Sequence, residues 1–338
     1  MDTADLDYPL PEGAIAQTPL ERRDSARLLV DGGPGAAPQH RHVRDLPSLV
    51  RPGDVVVLNT TRVLPARLRL TKPTGGAVEV LLLEPLDPAE RTWEALVRPS
   101  RKVAAGTTCT AGDDLTVVVG EDRGGGRRVV ELRLGAGRDL LGALDRHGAV
   151  PLPPYITVPL EDPERYQTVY AERPGSVAAP TAGLHLTPDG LAAMEAAGAT
   201  IVPVELVVGL GTFRPIAADK VEDHVMHAER YRVPEATMAA CERAERVIAV
   251  GTTTVRALES AAATGELVGR TELFIHGDRP FAVVDALVTN LHQPRSSLLV
   301  LVAAFVGPRW RDLYDEALGQ GYRFLSFGDA TFLQGIRG

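Results

Sequence analysis

The sequence predicts an α/β protein with an antiparallel β-barrel domain inserted into it. In the second half of the chain, short apolar runs alternate with helical patterns, which is typical of a mostly parallel sheet covered by helices. Between about residues 68 and 149, alternating strands instead follow one another at short spacing, separated by Gly- and Asp-rich turns. We therefore expect an α/β domain of residues 1–67 and 150–338 and a β-barrel domain of residues 68–149.

Individual elements support this division in chain order. Val55–Asn59 is a β-branched apolar run that suits a buried strand. Thr187 is a candidate N-cap with Pro188 in the first turn, which favours a helix that ends at Gly198. The next strand, helix, strand and helix are expected at Thr200–Gly209, Pro234–Glu245, Arg246–Gly251 and Thr253–Gly265. The barrel strands are expected at Ala77–Glu84, Thr92–Arg98, Leu115–Gly120 and Arg127–Leu134, and a hairpin loop at Asp31–Gln39.

Composition places the chain among ordinary globular proteins. Its 338 residues are 44% hydrophobic and 24% charged, and the length favours two domains. No apolar stretch approaches the roughly 20 residues that span a bilayer, and the N-terminus lacks the basic and apolar regions of a signal peptide. Cys109 and Cys241 lie far apart without a CxxC pattern, so we expect no disulfide, no zinc site and a reducing, cytoplasmic location.

The formal net charge is −8, whereas proteins that bind nucleic acids commonly carry a basic face. A local basic patch could still provide such a face. The candidates are Arg98, Arg101, Lys102, Arg123, Arg127 and Arg128, and an ordinary solvated surface is the alternative interpretation of each.

The segment from Arg165 to Thr187, which we name the signature loop, carries the strongest functional signal. It is rich in Gly, Pro, hydroxyl and imidazole groups and has almost no helical or strand periodicity. Gly and Pro fix unusual dihedrals while hydroxyl and imidazole groups supply hydrogen bonds, so the segment is typical of a ligand-binding loop. Thr181, Gly183 and His185 are its candidate contacts, and a long surface turn without function is the alternative.

A second candidate site follows the predicted strand that ends at Gly251. Three threonines and a helix come next, which places hydroxyls and free backbone amides at a helix N-terminus, a favourable site for an anion. Thr252, Thr253 and Arg256 are the candidate contacts, to a carboxylate or to a phosphate. Simple N-capping by one of the threonines, with Arg256 in a structural ion pair, is the alternative.

The segment from His224 to Glu229 contains a third group of polar residues. The spacing of His224, His227 and Glu229 is only weakly typical of a metal site, because no third imidazole accompanies them. We interpret them as polar contacts to a nucleoside or base, with a structural loop as the alternative.

Three more candidates lie further along the chain. Asn290 and His292 form a polar pair, and Asp329 places a carboxylate near the end of a strand, where it could instead cap a terminal turn. Catalytic groups of an α/β sheet should gather at the carboxyl ends of its strands.

These segments also resemble a known family. Beside the signature loop, the motifs that carry the resemblance follow in the family's order at Asp7–Val30, Val55–Leu68, Thr74–Glu84, Pro151–Ile156, Gly209–Ile216, His224–Glu229, Arg246–Glu259 and Tyr322–Ala330. Over nearly its whole length the chain is similar to the S-adenosylmethionine:tRNA ribosyltransferase-isomerases of the queuosine pathway. The resemblance implies the same β-barrel insertion and a monomer.

The resemblance also implies the reaction. The ribosyl group of S-adenosylmethionine is transferred and isomerised onto 7-aminomethyl-7-deazaguanine at the wobble position of a tRNA. The product is epoxyqueuosine, and adenine and methionine are released. S-adenosylmethionine is thus a co-substrate, and the family needs no metal.

This reaction implies roles for the candidate residues. The sulfonium charge acidifies the hydrogens on the ribose 5′-carbon, so the site requires a base with a pKa near neutrality and must exclude water. His185 and His227 are the candidate bases, since imidazole has the suitable intrinsic pKa, and Asp329 is a third catalytic candidate. The substrate-binding candidates are completed by Gly209, Gly211 and Thr212.

The chain departs from the family pattern at several motif positions. These are Thr60, Val158, Val207, Gln293 and Phe327, where the family has Asp, an Arg after the PPYI motif, His, Leu and Tyr. The changes bear on the acceptor more than on the donor. Two alternatives therefore stay open: a diverged relative that uses S-adenosylmethionine on a small-molecule acceptor, and a non-catalytic nucleoside- or RNA-binding protein on the same fold.

Overall fold

The structure, a computed structural model, describes residues 1–209 and 215–335. Its strands are β1 Arg27–Val30, β2 Gln39–His42, β3 Asp54–Asn59, β4 Thr61–Val63, β5 Arg67–Thr71, β6 Ala77–Pro85, β7 Thr92–Arg98, β8 Thr108–Ala111, β9 Leu115–Gly124, β10 Arg127–Leu134, β11 Gly148–Ala149, β12 Arg173–Ser176, β13 Thr200–Leu206, β14 Glu229–Arg232, β15 Arg246–Val250, β16 Val268–Thr271, β17 Ala286–Asn290 and β18 Ala330–Gln334. Its α-helices are α1 Leu140–His147, α2 Pro188–Ala196, α3 Glu235–Arg243, α4 Thr252–Thr264, α5 Ser297–Val306 and α6 Trp310–Gly319. Short 3₁₀ helices lie at Thr3–Leu6, Glu12–Ala14, Arg23–Ser25, Val43–Leu49, Ser100–Lys102, Pro163–Tyr166, Thr181–His185, Val221–Asp223 and Gly307–Arg309.

The chain divides into two compact units, residues 1–62 with 153–338 and residues 63–152. The larger unit is built on a mixed sheet with helices, and the smaller one is a closed antiparallel β-barrel. The predicted fold class is therefore confirmed. The barrel domain expected from the sequence spans residues 68–149, and these boundaries remain a prediction.

A nine-stranded sheet forms the larger unit, in the order β16-β14-β13-β3-β15-β17-β18-β1-β2. Strands β13, β3, β15 and β17 are parallel neighbours, so their carboxyl ends meet at one edge of the sheet. Strand β18 is antiparallel to β17, with Ala330 opposite Asn290, so Asp329 at its start reaches the same edge. We name this the carboxyl edge.

The central strands are buried on both faces, which explains their continuous apolar sequences. In β3, Val55 and Val57 pack into the hydrophobic cluster that includes α4 and α5, whereas Val56 and Leu58 pack into the cluster that includes α2. Successive side chains of a strand point to opposite faces, so one apolar run supplies both layers.

Helices α2 and α3 begin within one residue or two of where the sequence predicts them, and the start of α4 differs in its cap. Thr187 caps α2, its hydroxyl accepting from the Gly190 amide at 3.1 Å, as expected. The N-cap of α4 is instead Gly251, at φ +92°. That φ lies in the region that glycine tolerates, so a glycine rather than a threonine turns the chain from β15 into the helix. N-capping by Thr252 or Thr253, which the sequence left open as the alternative role of these threonines, is therefore wrong.

The barrel closes in the order β5-β6-β7-β10-β9-β8, with Thr110 of β8 pairing back to Thr71 of β5. Alternate residues of its strands are buried, as the period-two patterns predict. Arg128 was expected on a basic surface, but it is buried and its guanidinium donates to the carbonyls of Val103 and Gly120 at 2.9 and 2.7 Å. It therefore satisfies backbone acceptors of the barrel and is not part of a basic patch.

In the described part of the chain, no helix has the length and apolarity to cross a membrane.

Replacing Gly148 should destabilise the barrel through steric overlap alone. Its backbone is extended, at φ −94°, which any residue adopts. An added Cβ, however, would lie 1.8 Å from the Pro65 carbonyl oxygen and 2.7 Å from that of Leu144. We expect Gly148→Ala to lower the free energy of unfolding by about 2–4 kcal/mol in denaturant titration.

The matched control is Gly319→Ala, because a Cβ at Gly319 meets no atom within 4 Å. This change should be neutral or stabilise by a few tenths of a kcal/mol, as alanine favours the helix. Equal stability of the Gly148→Ala and Gly319→Ala variants would contradict the steric argument.

Candidate active site

The signature loop lies against the carboxyl edge. Its residues Thr181–His185 form a short 3₁₀ turn in which four of the five residues are buried. The Val177 amide donates to the Val208 carbonyl, and the Ser176 hydroxyl accepts from the Val208 amide at 3.1 Å. The loop is thus fixed to the segment that follows β13, which is how it becomes part of the edge rather than a free surface turn.

Asn290, the last residue of β17, joins two signature-loop side chains. Its Oδ1 accepts from the Thr181 hydroxyl at 2.8 Å, and its Nδ2 lies 3.1 Å from Nε2 of His185. Asn290 is buried, with 2% of its surface exposed. A buried amide needs partners on both its oxygen and its nitrogen, and these two residues supply them.

This network assigns the state of His185. Because the Asn290 oxygen accepts from Thr181, its NH₂ group donates to His185 Nε2, and the imidazole proton is then assigned to Nδ1. Burial, followed by the charges of Arg323 and Arg23, lowers the pKa of His185 to about 4. The imidazole is therefore neutral at pH 7. The expectation of a pKa near neutrality is wrong for His185 in this arrangement.

His292 is held beside Asn290 on the same edge. Its Nε2 lies 3.0 Å from the Thr289 hydroxyl, its amide donates to the Tyr314 hydroxyl at 3.0 Å, and its carbonyl accepts from the Tyr8 hydroxyl. Burial lowers the pKa of His292 to about 3. Like His185, it is a neutral imidazole at physiological pH.

These polar groups open onto a shallow cleft, which we name the edge cleft. Its polar lining includes Tyr155, Thr181, Asn290, His292, Gln293 and Ser326. The hydroxyls of Tyr155 and Ser326 are 2.8 Å apart. Leu325, which also lines the cleft, has a φ of +69°, and Arg295 in the loop after His292 has a φ of +55°. Left-handed backbone at non-glycine residues costs energy and concentrates at functional sites.

A second buried cluster centres on Glu229 and Arg256. Arg256 donates to Glu229 Oε2, and Glu229 Oε1 accepts from the Gly209 amide at 2.9 Å. Arg256 also donates to the Leu273 carbonyl at 3.1 Å. The structure thus forms the ion pair that the sequence analysis gave as the alternative role of Arg256. Gly209 is held at the carboxyl edge by the same carboxylate.

The threonines at the start of α4 are buried against the strand ends. Asn59 donates to the Thr253 hydroxyl at 3.3 Å and to the Leu206 carbonyl at 3.0 Å, and so ties α4 to two strands. Thr252 is 6% exposed. The signature loop approaches the start of α4, since a Cβ added at Gly251 would lie 3.7 Å from Cβ of Ala182 and 3.5 Å from Oγ1 of Thr253.

The remaining predicted residues are distributed more widely. His227 is exposed, and His224 is half-buried against the Phe274 ring. Burial and the neighbouring His227 lower the pKa of His224. No group of three metal-binding side chains occurs within residues 1–209 and 215–335. Gly211 and Thr212 lie outside the described residues.

Asp329 holds backbone amides at the carboxyl edge. Its two carboxylate oxygens accept from the amides of Arg27 and Arg323, both at 2.8 Å, and the residue is 2% exposed. It thereby joins the starts of β1 and β18.

The departures from the family pattern fall into two groups. Thr60, Val207 and Val158 do not line the edge cleft. Thr60 is buried and its amide donates to the Val204 carbonyl, and the Val207 amide donates to the Arg230 carbonyl. Val158 is exposed. Gln293 lines the edge cleft. Phe327 is buried, with its ring centroid 5.8 Å from that of Tyr166.

Comparison with known proteins now bears on this site. Residues 3–333 match the family described as queuosine biosynthesis protein. The chain belongs to this family. It is 50% identical over 338 residues to the S-adenosylmethionine:tRNA ribosyltransferase-isomerase of Rubrobacter xylanophilus, covering 99% of this chain and 98% of that one. It is 46% identical over 346 residues to that of Thermotoga maritima, covering 98% and 100%.

A solved structure supports the same membership in the queuosine biosynthesis protein family. The crystal structure of S-adenosylmethionine tRNA ribosyltransferase from Thermotoga maritima superposes with a TM-score of 0.55 at 35% identity, covering 97% of this chain and 99% of that one. The two chains therefore correspond over almost their whole lengths, the β-barrel insertion included.

Several residues that line the site were not predicted from the sequence. Tyr155 lies in the Pro151–Ile156 motif and Ser326 in the Tyr322–Ala330 motif, and neither was among the predicted site residues. Arg23, Arg165 and Arg323 surround the far side of His185. Each of the three arginines lies in a motif of the family resemblance, but the sequence gives no sign that they meet.

Gly183 should tolerate no side chain because Tyr170 fills the space. An added Cβ would lie 1.8 Å from the Tyr170 hydroxyl and 3.0 Å from Cγ2 of Thr168. We expect Gly183→Ala to lower the free energy of unfolding by about 2–4 kcal/mol. The Tyr170 hydroxyl is buried without a hydrogen-bond partner in the described chain, so Tyr170→Phe should be close to neutral.

The double variant tests the cause. Removing the hydroxyl relieves the closest overlap, so Gly183→Ala with Tyr170→Phe should recover at least 1 kcal/mol, an estimate on the order of measured couplings between touching residues. Purely additive changes in the unfolding midpoint would contradict the contact.

Stability should fall in acid because His185 and His292 are buried as neutral groups. The unfolded chain binds protons at these residues below about pH 6.5, whereas the folded chain binds them only near pH 4 and pH 3. The stabilisation is thus complete above pH 6.5 and is lost as the pH falls toward 4. Each residue adds a slope of up to about 1.4 kcal/mol per pH unit.

Denaturant titrations between pH 7 and pH 4.5 measure this slope. His185→Gln should reduce it by about one histidine's share, because the glutamine side chain does not titrate in this range. Identical slopes for wild type and His185→Gln would show that His185 does not remain neutral.

Proposed function

We propose that this protein transfers and isomerises the ribosyl group of S-adenosylmethionine onto 7-aminomethyl-7-deazaguanine in a tRNA. The product is epoxyqueuosine, and adenine and methionine are released. The observation that carries the proposal is the bridge from Asn290 to Thr181 and His185, which forms a buried polar cluster at the carboxyl edge. In α/β sheets this edge is where ligands bind, and membership in the queuosine biosynthesis family indicates which ligands.

S-adenosylmethionine binds at the edge cleft in this proposal. Tyr155, Thr181 and Ser326 offer hydroxyls, and Gln293 offers an amide, toward the polar atoms of its ribose and adenine. The buried pair Glu229–Arg256 holds Gly209 in place at the neighbouring strand end. We propose that the reaction uses no metal. The sulfonium charge of the co-substrate itself acidifies the hydrogens on the 5′-carbon.

His185 is the base that the geometry favours. It is neutral at pH 7 and buried, and its unprotonated Nε2, which accepts from the Asn290 amide, takes up the proton when that hydrogen bond opens in the loaded enzyme. His227, the other candidate, is exposed. A pKa of about 4 makes His185 a weak base in the free enzyme, and a bound anion that offset the charges of Arg23 and Arg323 would raise its pKa.

The remaining assignments follow from the substrate. We propose a tRNA partner, contacted by exposed basic residues such as Arg98, Arg101 and Lys102, a cytoplasmic location and a monomer. Cys109 and Cys241 are both free and buried, which fits a reducing compartment.

The direct test is incubation with S-adenosylmethionine and tRNA carrying 7-aminomethyl-7-deazaguanine, followed by measurement of adenine release and of nucleoside mass. Adenine release with epoxyqueuosine in the digest would establish the reaction. Intact S-adenosylmethionine and unmodified tRNA, with co-substrate binding still measurable, would overturn it and leave a small-molecule acceptor or a binding protein.

The same assay separates the two candidate bases. His185→Gln should lower kcat by about 10²–10⁴-fold, the usual contribution of a general base, with S-adenosylmethionine binding changed little because glutamine can still accept from Asn290. His227→Gln should retain kcat within about threefold. The reverse pattern would move the base to His227.

A further inference from the structure

We propose that Arg23, Arg165 and Arg323 form a binding pocket for one oxyanion of the substrates, either the methionine carboxylate of S-adenosylmethionine or a phosphate of the tRNA. The proposal rests on the function proposed above for the identity of the anion. The pocket is lined by Arg23, Arg165, Leu184, His185, Arg323 and Phe327. His185 joins this arginine pocket to the edge cleft, since it also bonds Asn290.

The three guanidinium groups are oriented by neutral partners. Each donates to backbone carbonyl oxygens, at distances of 2.5 to 3.3 Å, and these carbonyls belong to Thr18, Leu20, Glu21, Glu164, Gln167, Leu184 and Phe327. Carbonyl dipoles fix the planes of the guanidiniums without cancelling their charge. Such prepositioned planar donors match the geometry of a carboxylate or phosphate.

The positive charge of the pocket is left uncompensated at short range. Within the described ranges, none of these guanidiniums has a carboxylate oxygen within 4.0 Å. Asp162 and Glu164 act on Arg23 and Asp329 acts on Arg323 only from further away. Three half-buried like charges around one cavity are costly without a counter-ion, which explains why an anion should bind there.

One donor of the arginines that line the pocket lacks a partner among the described residues. Nε of Arg165 is buried and has no hydrogen-bond partner in the part of the chain that the structure describes. A buried N–H group without a partner costs free energy, and an oxyanion in the pocket could satisfy it. The burial of Arg23 and the neighbouring Arg165 charge also lower the pKa of Arg23, which is consistent with a site short of negative charge.

The experiment measures binding of S-adenosylmethionine, of decarboxylated S-adenosylmethionine and of the tRNA to wild type and to Arg165→Gln and Arg323→Gln. The control is Arg22→Gln, which removes the same charge from a side chain that is 70% exposed and next to Arg23. Thermal unfolding of every variant is recorded. Binding is measured by calorimetry, and the tRNA arm is repeated at several salt concentrations.

If the anion is the carboxylate, the pocket variants should lose roughly 10- to 100-fold in affinity for S-adenosylmethionine and little for the decarboxylated form. If it is a phosphate, tRNA affinity should fall and the salt slope should decrease by about 1. Either result supports the pocket, provided that Arg22→Gln behaves as wild type.

Affinities unchanged in both arms would overturn the proposal. So would an equal loss for S-adenosylmethionine, its decarboxylated form and tRNA together with a lowered unfolding temperature, because the arginines would then serve structure alone. Failure of the proposed function looks different, since it appears as absent adenine release in the wild type itself.

Discussion

The site depends on one buried amide. Asn290 lies at the end of β17, is 2% exposed, and pairs its amide oxygen with Thr181 and its amide nitrogen with His185. The signature loop is 105 residues away in sequence, so its position at the carboxyl edge is a consequence of this pairing together with the Ser176 and Val208 contacts. Satisfying the amide also sets the tautomer of His185, and so one constraint defines both position and chemistry.

Burial and nearby charge together keep His185 neutral, and the charge is the part that a ligand would change. Burial is the larger cause of its low pKa, and Arg323 and Arg23 add to it. An anion bound in the arginine pocket would offset the effect of the two arginines on the pKa of His185, while the effect of burial would remain. The basicity of His185 would then rise only when a substrate anion is bound, which restricts proton removal to the loaded enzyme and avoids a reactive base in the free one.

Local patterns in the sequence were sufficient for most of the fold. The apolar run of β3, the cap at Thr187 and the barrel strands β7 and β10 are encoded by neighbouring residues, and the structure has them where they were predicted. Side-chain environments were less predictable because they depend on partners far along the chain. Arg128 turned inward to barrel carbonyls, Gly183 proved to be covered by Tyr170, and three separate motifs contributed arginines to one pocket.

The departures from the family pattern can be weighed by where they lie. Thr60 and Val207 are held by backbone hydrogen bonds, and neither lines the edge cleft or the arginine pocket. Gln293 and Phe327 do line them, one in each. Phe327 lacks the hydroxyl of the Tyr found in the family, yet its carbonyl still orients Arg323 at 2.7 Å. The backbone supplies this acceptor, so the hydrogen bond of Arg323 is independent of the substitution at position 327. Any altered substrate preference caused by Phe327 must therefore arise at the wall of the arginine pocket rather than from loss of the pocket's charged groups.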